Sequence, residues 1–337
     1  MIQMNRILIT GGAGFIGFHL AKNLLKTGEK VDIFDNFSRG IMDTELEKLK
    51  KKYKDKFNII FGDLLNNNDI NKKLSIKKYE YIYHFAAIMG VKHVLKNPFE
   101  VLKKNAVLTI NAVEFAKNQH NLKRFIFAST SEVYAGTLKY FNMQIPTTEC
   151  TPLAVSDINH PRTSYMLSKI YGEVLCHNSD LPFSVIRPHN FYGPRMGLSH
   201  VIPELLMRAY KSRDGELLDV FSVEHKRSFC YIDDAVKMIS KAIENPKSVN
   251  ETLNIGVQEP EISICKLAEV VIDIVGKNLI IIPKRAHSDS PIRRCPNIKK
   301  AIELSGVKPN IDLIQGIKRT YKWYLENIFE INGKTAI

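Results

Sequence analysis

The chain has 337 residues, 45% hydrophobic and 25% charged, with 48 lysines and arginines against 35 acidic residues and a formal charge of +13. That length can bury a sizeable core, either as one large α/β domain or as a nucleotide-binding domain with a smaller partner. The positive charge suits nucleic acid, a membrane surface or a polyanionic small substrate, but no run of 18 apolar residues and no aromatic-interleaved basic segment is present.

Five cysteines (Cys150, Cys176, Cys230, Cys265 and Cys295) are widely separated, odd in number and without a C-x-x-C pair. This argues against both disulfides and a zinc site, and no metal is expected. The opening "MIQMNRILIT" reads as a strand with no export signal. The expectation is a reduced, cytoplasmic protein.

Short β-branched runs recur along the chain: 6–10, 31–35, 58–62, 80–85, 124–129, 183–188 and 252–256. Helical patterns separate most of them, notably 15–28 and 98–119. Strands without polar alternation, spaced by helices, predict a parallel sheet covered on both faces: an α/β, doubly wound Rossmann architecture. After about residue 190 helices dominate and the remaining strands are short. The expected division is a dinucleotide-binding domain over 1–190 and a smaller, mainly helical lobe over 191–337, with 228–256 able to pack back on the first. The lysine-rich 48–56 has helical spacing and includes Asp55, and reads as a solvated face. The stretch 135–163 shows no clear periodicity and is expected to be a long loop.

The first motif, "TGGAGFIG", follows the first strand and opens the first helix, with Gly11, Gly14 and Gly17 at three-residue spacing around Phe15 and Ile16. Backbone amides there can approach a pyrophosphate only where Cβ atoms are absent, and the helix N-terminus adds partial positive charge. Asp35 ends the second strand, followed by Asn36. An acid there bonds the adenosine ribose hydroxyls and repels a 2′-phosphate, so NAD is favoured over NADP. Arg39 nearby keeps NADP open. Asp63, beside Leu64 after the third strand, stands where it can reach an adenine or simply form a turn. Ala86 and Ala87 end the fourth strand in small residues, as a cofactor lying across the strand ends requires.

"ASTSEVY" ends the fifth strand with Ser129, Thr130, Ser131 and Glu132 at the edge where ligands of such sheets bind. Downstream, Tyr165 and Lys169 lie four apart on a helical pattern and so share one face. Lowering a phenol from a pKa near ~10 to neutrality takes about 4 kcal/mol. Two unit charges 4 Å apart at an effective dielectric of about 20 exchange about that amount. The expectation is a tyrosine made acidic by Lys169, with an oxidised nicotinamide adding to the effect.

Together with "RPHNFYGPRMG", "RSFCYIDDA" and "SPIRRCPNIKKA", these motifs follow in the order of the extended short-chain dehydrogenase/reductase family. The sequence resembles its NAD-dependent nucleotide-sugar epimerases, dehydratases and decarboxylases over roughly residues 5 to 325. The resemblance implies Tyr165 as base, Lys169 as its electrostatic partner on the nicotinamide ribose, and Thr130 as a hydrogen-bonding partner at the sugar O4. It also implies substrate contacts from Ser131 and Asn190, with Arg227 and either Arg293 or Arg294 on the diphosphate. Glu132 resembles the acid of UDP-glucuronate decarboxylases and sugar 4,6-dehydratases that acts at C5, whereas "AAIMGVKHVLKNP" is closer to UDP-sugar epimerases. Epimerase, decarboxylase and dehydratase therefore stay open, as does a non-catalytic NAD sensor or nucleic-acid binder on the same fold. The expected partners are a nucleotide-diphosphate sugar and a second copy of the chain, paired through 98–119 and 164–180, with no nucleic acid and no membrane span.

Overall fold

A computed structural model describes residues 6–75, 77–141, 143–155, 157–285 and 291–330. The first half alternates strand and helix: β1 (Arg6–Thr10), α1 (Phe15–Lys26), β2 (Lys30–Asp35), α2 (Thr44–Lys52), β3 (Phe57–Phe61), α3 (Asn67–Lys73), β4 (Tyr81–His84), α4 (Val91–Lys96), α5 (Pro98–Lys117), β5 (Arg124–Ala128), α6 (Ala135–Tyr140), α7 (Arg162–His177) and β6 (Phe183–Pro188). Then follow β7 (Phe191–Tyr192), α8 (Val201–Lys211), β8 (Leu217–Phe221), β9 (Lys226–Arg227), β10 (Cys230–Tyr231), α9 (Ile232–Glu244), β11 (Glu251–Ile255), β12 (Ile262–Ser263), α10 (Ile264–Val275), β13 (Ile280–Lys284), β14 (Arg293–Arg294), α11 (Lys299–Ser305) and α12 (Leu313–Tyr324).

Among the described residues the main sheet has seven strands in the order β3-β2-β1-β4-β5-β6-β11, all parallel. Successive side chains of a strand point to opposite faces, and here both faces are apolar. Ile7 and Ile9 of β1, Tyr83 of β4 and Ile126 of β5 belong to one core; Leu8, Ile82, Phe125 and Phe127 belong to the other. This is why the strands read as continuous hydrophobic runs. Because β1 connects to β2 on one side while β4 lies on the other, the strand order reverses between β1 and β4, and a crevice opens there beyond the strand ends.

The chain leaves the sheet after β6, builds α8, β8 and α9, and returns as β11 at the edge beside β6. The stretch 135–163, expected to be a loop, begins with a short helix, α6. Its six residues are too few to show a period. The lysines of α2 lie on its exposed face, while Leu46 and Leu49 are buried. No described helix is long and apolar enough to cross a membrane.

Candidate active site

The glycine turn is shaped by close approach. Gly11 has φ +69°, and a Cβ there would stand 2.7 Å from Ala86 N. Its amide donates to Phe34 O at 2.9 Å, tying the turn to β2. A Cβ on Gly17 would stand 2.6 Å from Gly11 O, so only glycine lets α1 start this close to the turn. Gly14 is the N-cap of α1, extended and without a capping side chain, which leaves the first-turn amides to an outside acceptor. Phe15 and Ile16 are half-buried and pack on the core below. A cradle that a Cβ would fill, at the N-terminus of a twelve-residue helix, fits a dinucleotide pyrophosphate.

Asp35 is buried at the end of β2, where its carboxylate accepts from Ala13 N (2.9 Å) and Phe37 N (2.8 Å). Burial pushes its pKa up, and those two hydrogen bonds pull against the shift. Asn36 donates to Asp63 Oδ2 (3.1 Å), while Asp63 Oδ1 accepts from Leu65 N (2.9 Å). Asp63 thus both forms a turn and links the ends of β2 and β3. Leu64 buries its side chain in the core, and its carbonyl accepts from Asn111 of α5. Ala86 and Ala87 are half-buried at the end of β4, against the glycine turn. Arg39 leaves Asp35 and reaches across the crevice to donate to Met89 O at 2.7 Å. Its loop is fastened again by Arg195, which bonds Asp43 and Ile41 O and lies 3.8 Å over the Phe18 ring.

On the facing side, Lys169 of α7 is buried and donates from Nζ to Ala128 O at 2.7 Å, 5.0 Å over the Phe127 ring and 5.9 Å from the Tyr165 ring. Thr130 stands close enough to the Tyr165 phenol to pull its pKa down. Thr130 also caps the short turn Ser131–Tyr134 by accepting from Glu132 N. Strand end and helix therefore bring the expected pair and its hydroxyl partner together. The expected acidity of the phenol is not found: burial, then the Glu132 carboxylate, raise the Tyr165 pKa, while Thr130 and Arg39 pull it down by less. The ammonium credited with lowering it is spent on the Ala128 carbonyl and stands over the ring. Burial lowers Lys169 to about 8, with Glu173 opposing.

Beside the phenol, each oxygen of Glu132 takes one guanidinium: Arg294 Nη1 at 2.8 Å and Arg162 Nη2 at 3.0 Å. Burial pushes this acid up, but Arg294, Arg162 and Arg227 outweigh it and hold it at about 2. Arg294 is buried, also donates weakly to Ser131 (3.4 Å), and keeps Nε and Nη2 without a hydrogen-bond partner among the described residues. Arg293 instead turns outward to Glu261 (2.7 and 2.9 Å), because neighbours in β14 point to opposite sides. Arg227 directs its amino groups to the carbonyls of Lys226, Pro291 and Ile292, and burial lowers its pKa to about 9. Asn190, at φ +44°, donates to Ser228 O. Sequence reasoning missed Arg162, although its position three residues before Tyr165 places it on the same helical face.

The model of a family described as the NAD dependent epimerase/dehydratase family matches residues 7–256. The UDP-N-acetyl-alpha-D-glucosaminuronate decarboxylase of Bacillus cytotoxicus is 32% identical over 95% of this chain and 98% of its own. The UDP-glucuronic acid decarboxylase 1 of Xenopus tropicalis is 30% identical over 96% of this chain and 73% of its own. Among solved structures, the UDP-glucuronic acid 4-epimerase of Bacillus cereus, in complex with UDP-glucuronic acid and NAD, superposes with a TM-score of 0.81 at 27% identity, covering 95% of this chain and 99% of that one. Family match, near full-length relatives and shared fold agree with the glycine cradle, and this chain is an enzyme of the NAD dependent epimerase/dehydratase family.

Proposed function

We propose that this enzyme removes CO₂ from a UDP-hexuronate through transient oxidation at C4 of the sugar. The observation that carries the reading is the ionised Glu132, held between Arg162 and Arg294 beside Tyr165. The cofactor would be held by the turn at Gly11, Gly14 and Gly17, by Asp35 and by Lys169. When bound, NAD supplies the hydride acceptor and, in its oxidised form, a positive charge near the phenol. Tyr165, as the phenolate with Thr130 close by, takes the proton from O4. Burial makes that phenolate costly to form without added positive charge, and once formed a strong proton acceptor.

Once C4 is a ketone, the C6 carboxylate is that of a β-keto acid. It leaves as CO₂, its bonding electrons pass to the enolate across C5 and C4, C5 takes a proton, and return of the hydride to C4 with a proton from Tyr165 to O4 restores the alcohol. Arg294, with two unpartnered N–H donors at the Thr130–Glu132 end, suits the carboxylate and the enolate oxygen. This moves Arg294 from the diphosphate to the sugar end of the site, because it bonds Ser131 and Glu132 next to the catalytic hydroxyl. Asn190 and Arg227 remain for the diphosphate side, and Arg293 drops out of the set.

The relatives named as decarboxylases support this choice. The test is incubation with UDP-glucuronate and with UDP-N-acetylglucosaminuronate, following products by mass and NMR. Loss of CO₂ is expected. A mass-neutral isomer would replace the reading by 4-epimerisation, the activity named for the Bacillus cereus structure, and loss of water would replace it by dehydration.

The same proposal includes a homodimer. Phe99 and Val107 of α5 and Tyr171 and Val174 of α7 are exposed on adjoining helices, an apolar surface that a second copy would cover. Five unpaired cysteines suit a reducing compartment such as the cytoplasm.

A further inference from the structure

Behind Tyr165 and Lys169, the face of α7 continues one more turn to Glu173, which is 5% exposed. Its carboxylate is gripped by Arg187 of β6, with Nε on Oε1 at 2.9 Å and Nη2 on Oε2 at 2.6 Å, and Ser129 Oγ also donates to Oε1. Ser129 directly follows Ala128, whose carbonyl holds the Lys169 ammonium. Arg187 in turn donates to Tyr134 OH and Glu149 O and lies 4.8 Å over the Tyr134 ring. The carboxylate is therefore immobile, and it sits where a charge reaches Lys169 through low-dielectric surroundings.

Near the Tyr165 end of this helix face Glu132 is ionised but paired with Arg162 and Arg294, and the other groups that face Lys169 carry no negative charge near neutral pH. Tyr165 and Cys176 face it from its own helix; burial raises the phenol and pushes the thiol up to about 12. From β4, burial holds His84 down to about 3, with Lys169 adding to that shift. From α5, packed against α7, Asn105 meets this region through Ser168 and is neutral. Glu173 is the acid that opposes the loss of the Lys169 proton.

We infer that the buried Glu173–Arg187 pair is the positioning device for Lys169: Glu173 keeps the ammonium charged and in place, and Arg187 fixes that carboxylate to the sheet. This goes beyond the proposed decarboxylation but rests on that reading's use of a charged Lys169 to hold the cofactor beside Tyr165. A buried ion pair is weak evidence for stability on its own, since desolvation offsets much of the attraction. A place one turn from the catalytic ammonium gives this one a second consequence. If the pair were only a clip between α7 and β6, its loss would lower stability and turnover at every pH alike.

The test is the pH profile of kcat for the wild type, Glu173→Asp, Glu173→Gln and the double variant Glu173→Gln/Arg187→Met, with thermal melts alongside. A unit charge one turn away at an effective dielectric near 20 is worth on the order of one to two pH units, and Arg187 behind it offsets part. The alkaline limb should therefore fall by about one unit in Glu173→Gln, less in the double variant, and return toward the wild-type position in Glu173→Asp. Should Glu173→Gln fail to fold because Arg187 is left buried and unpaired, the double variant has no such charge, and its limb should still lie below that of the wild type. Limbs that coincide with the wild type, with turnover merely scaled down, would overturn the inference. A wild-type protein that turns over no nucleotide sugar would instead fail the proposed function, which keeps the two outcomes apart.

Discussion

Gly172 sets the distance between the helix of Tyr165 and Lys169 and the sheet, and a single methyl there should show it. A Cβ at this position would stand 2.2 Å from Phe127 Cζ and 2.8 Å from both Cε atoms, deep in a core where Phe127 has no exposure. Carbon atoms pack at about 3.5–4.0 Å, so Gly172→Ala must push α7 off β5 by about an ångström or tilt the ring. Overpacking of this kind costs about 1–3 kcal/mol, and replacing a helical glycine by alanine returns up to about 1 kcal/mol. The net change in stability should be near 1 kcal/mol, a shift of a few degrees in melting temperature. Turnover should suffer far more. Lys169 reaches Ala128 O from this same helix, and misplacing reacting groups by about 1 Å costs on the order of 10²-fold. The assay is steady-state kcat with a thermal melt, on Gly172→Ala and on Gly172→Ala/Phe127→Leu, where the smaller side chain restores room. A single variant that melts close to the wild type and turns over within about two-fold of it would refute the reasoning.

Tyr165→Phe should abolish turnover while NAD stays bound through gel filtration; wild-type-like activity would remove the proposed base. Glu132→Gln should reduce turnover and cost about 1–3 kcal/mol at neutral pH, because Arg162 and Arg294 lose the carboxylate they share. Since Glu132 is held at about 2, below its ordinary value of 4.5, its contribution to stability is present above about pH 4.5 and is lost as pH falls toward 2. Acid denaturation curves of Glu132→Gln should lack that portion of the slope, and identical curves would contradict the shift. Phe99→Glu on α5 should convert a dimer into a monomer by sedimentation, whereas a wild type already monomeric at micromolar concentration would dismiss the proposed pairing.

The strands were readable from sequence because both faces of the sheet are buried, so each strand is an unbroken apolar run. The expected 6–10 coincides with β1, and 183–188 with β6. The glycine turn was readable for a different reason: Gly11 and Gly17 sit where any Cβ meets backbone, a constraint that shows directly as residue type. What escaped were relations that only the fold creates. Arg162 gains its meaning from Glu132, thirty positions away in sequence and 3.0 Å away in space. Arg293 and Arg294 are adjacent in the chain, and β14 sends one to the surface and one to the site. For the phenol, weighing charges in pairs leaves out part of its surroundings. Burial and the nearby Glu132 act on it in the opposite direction, and neither is visible in a spacing of four residues.

The return of the chain as β11 also bears on how the protein comes into being. Until residues 251–255 have been synthesised, the outer edge of β6 has unpaired amides and carbonyls, and such an edge invites another strand. Asn254 of that late strand then fastens parts of the chain made much earlier, accepting from the Tyr134 hydroxyl and donating to Thr147 O. Ribosome-bound fragments ending before β11 should therefore need chaperone protection, and the substrate side of the cleft should acquire its final form only as the last quarter of the polypeptide emerges.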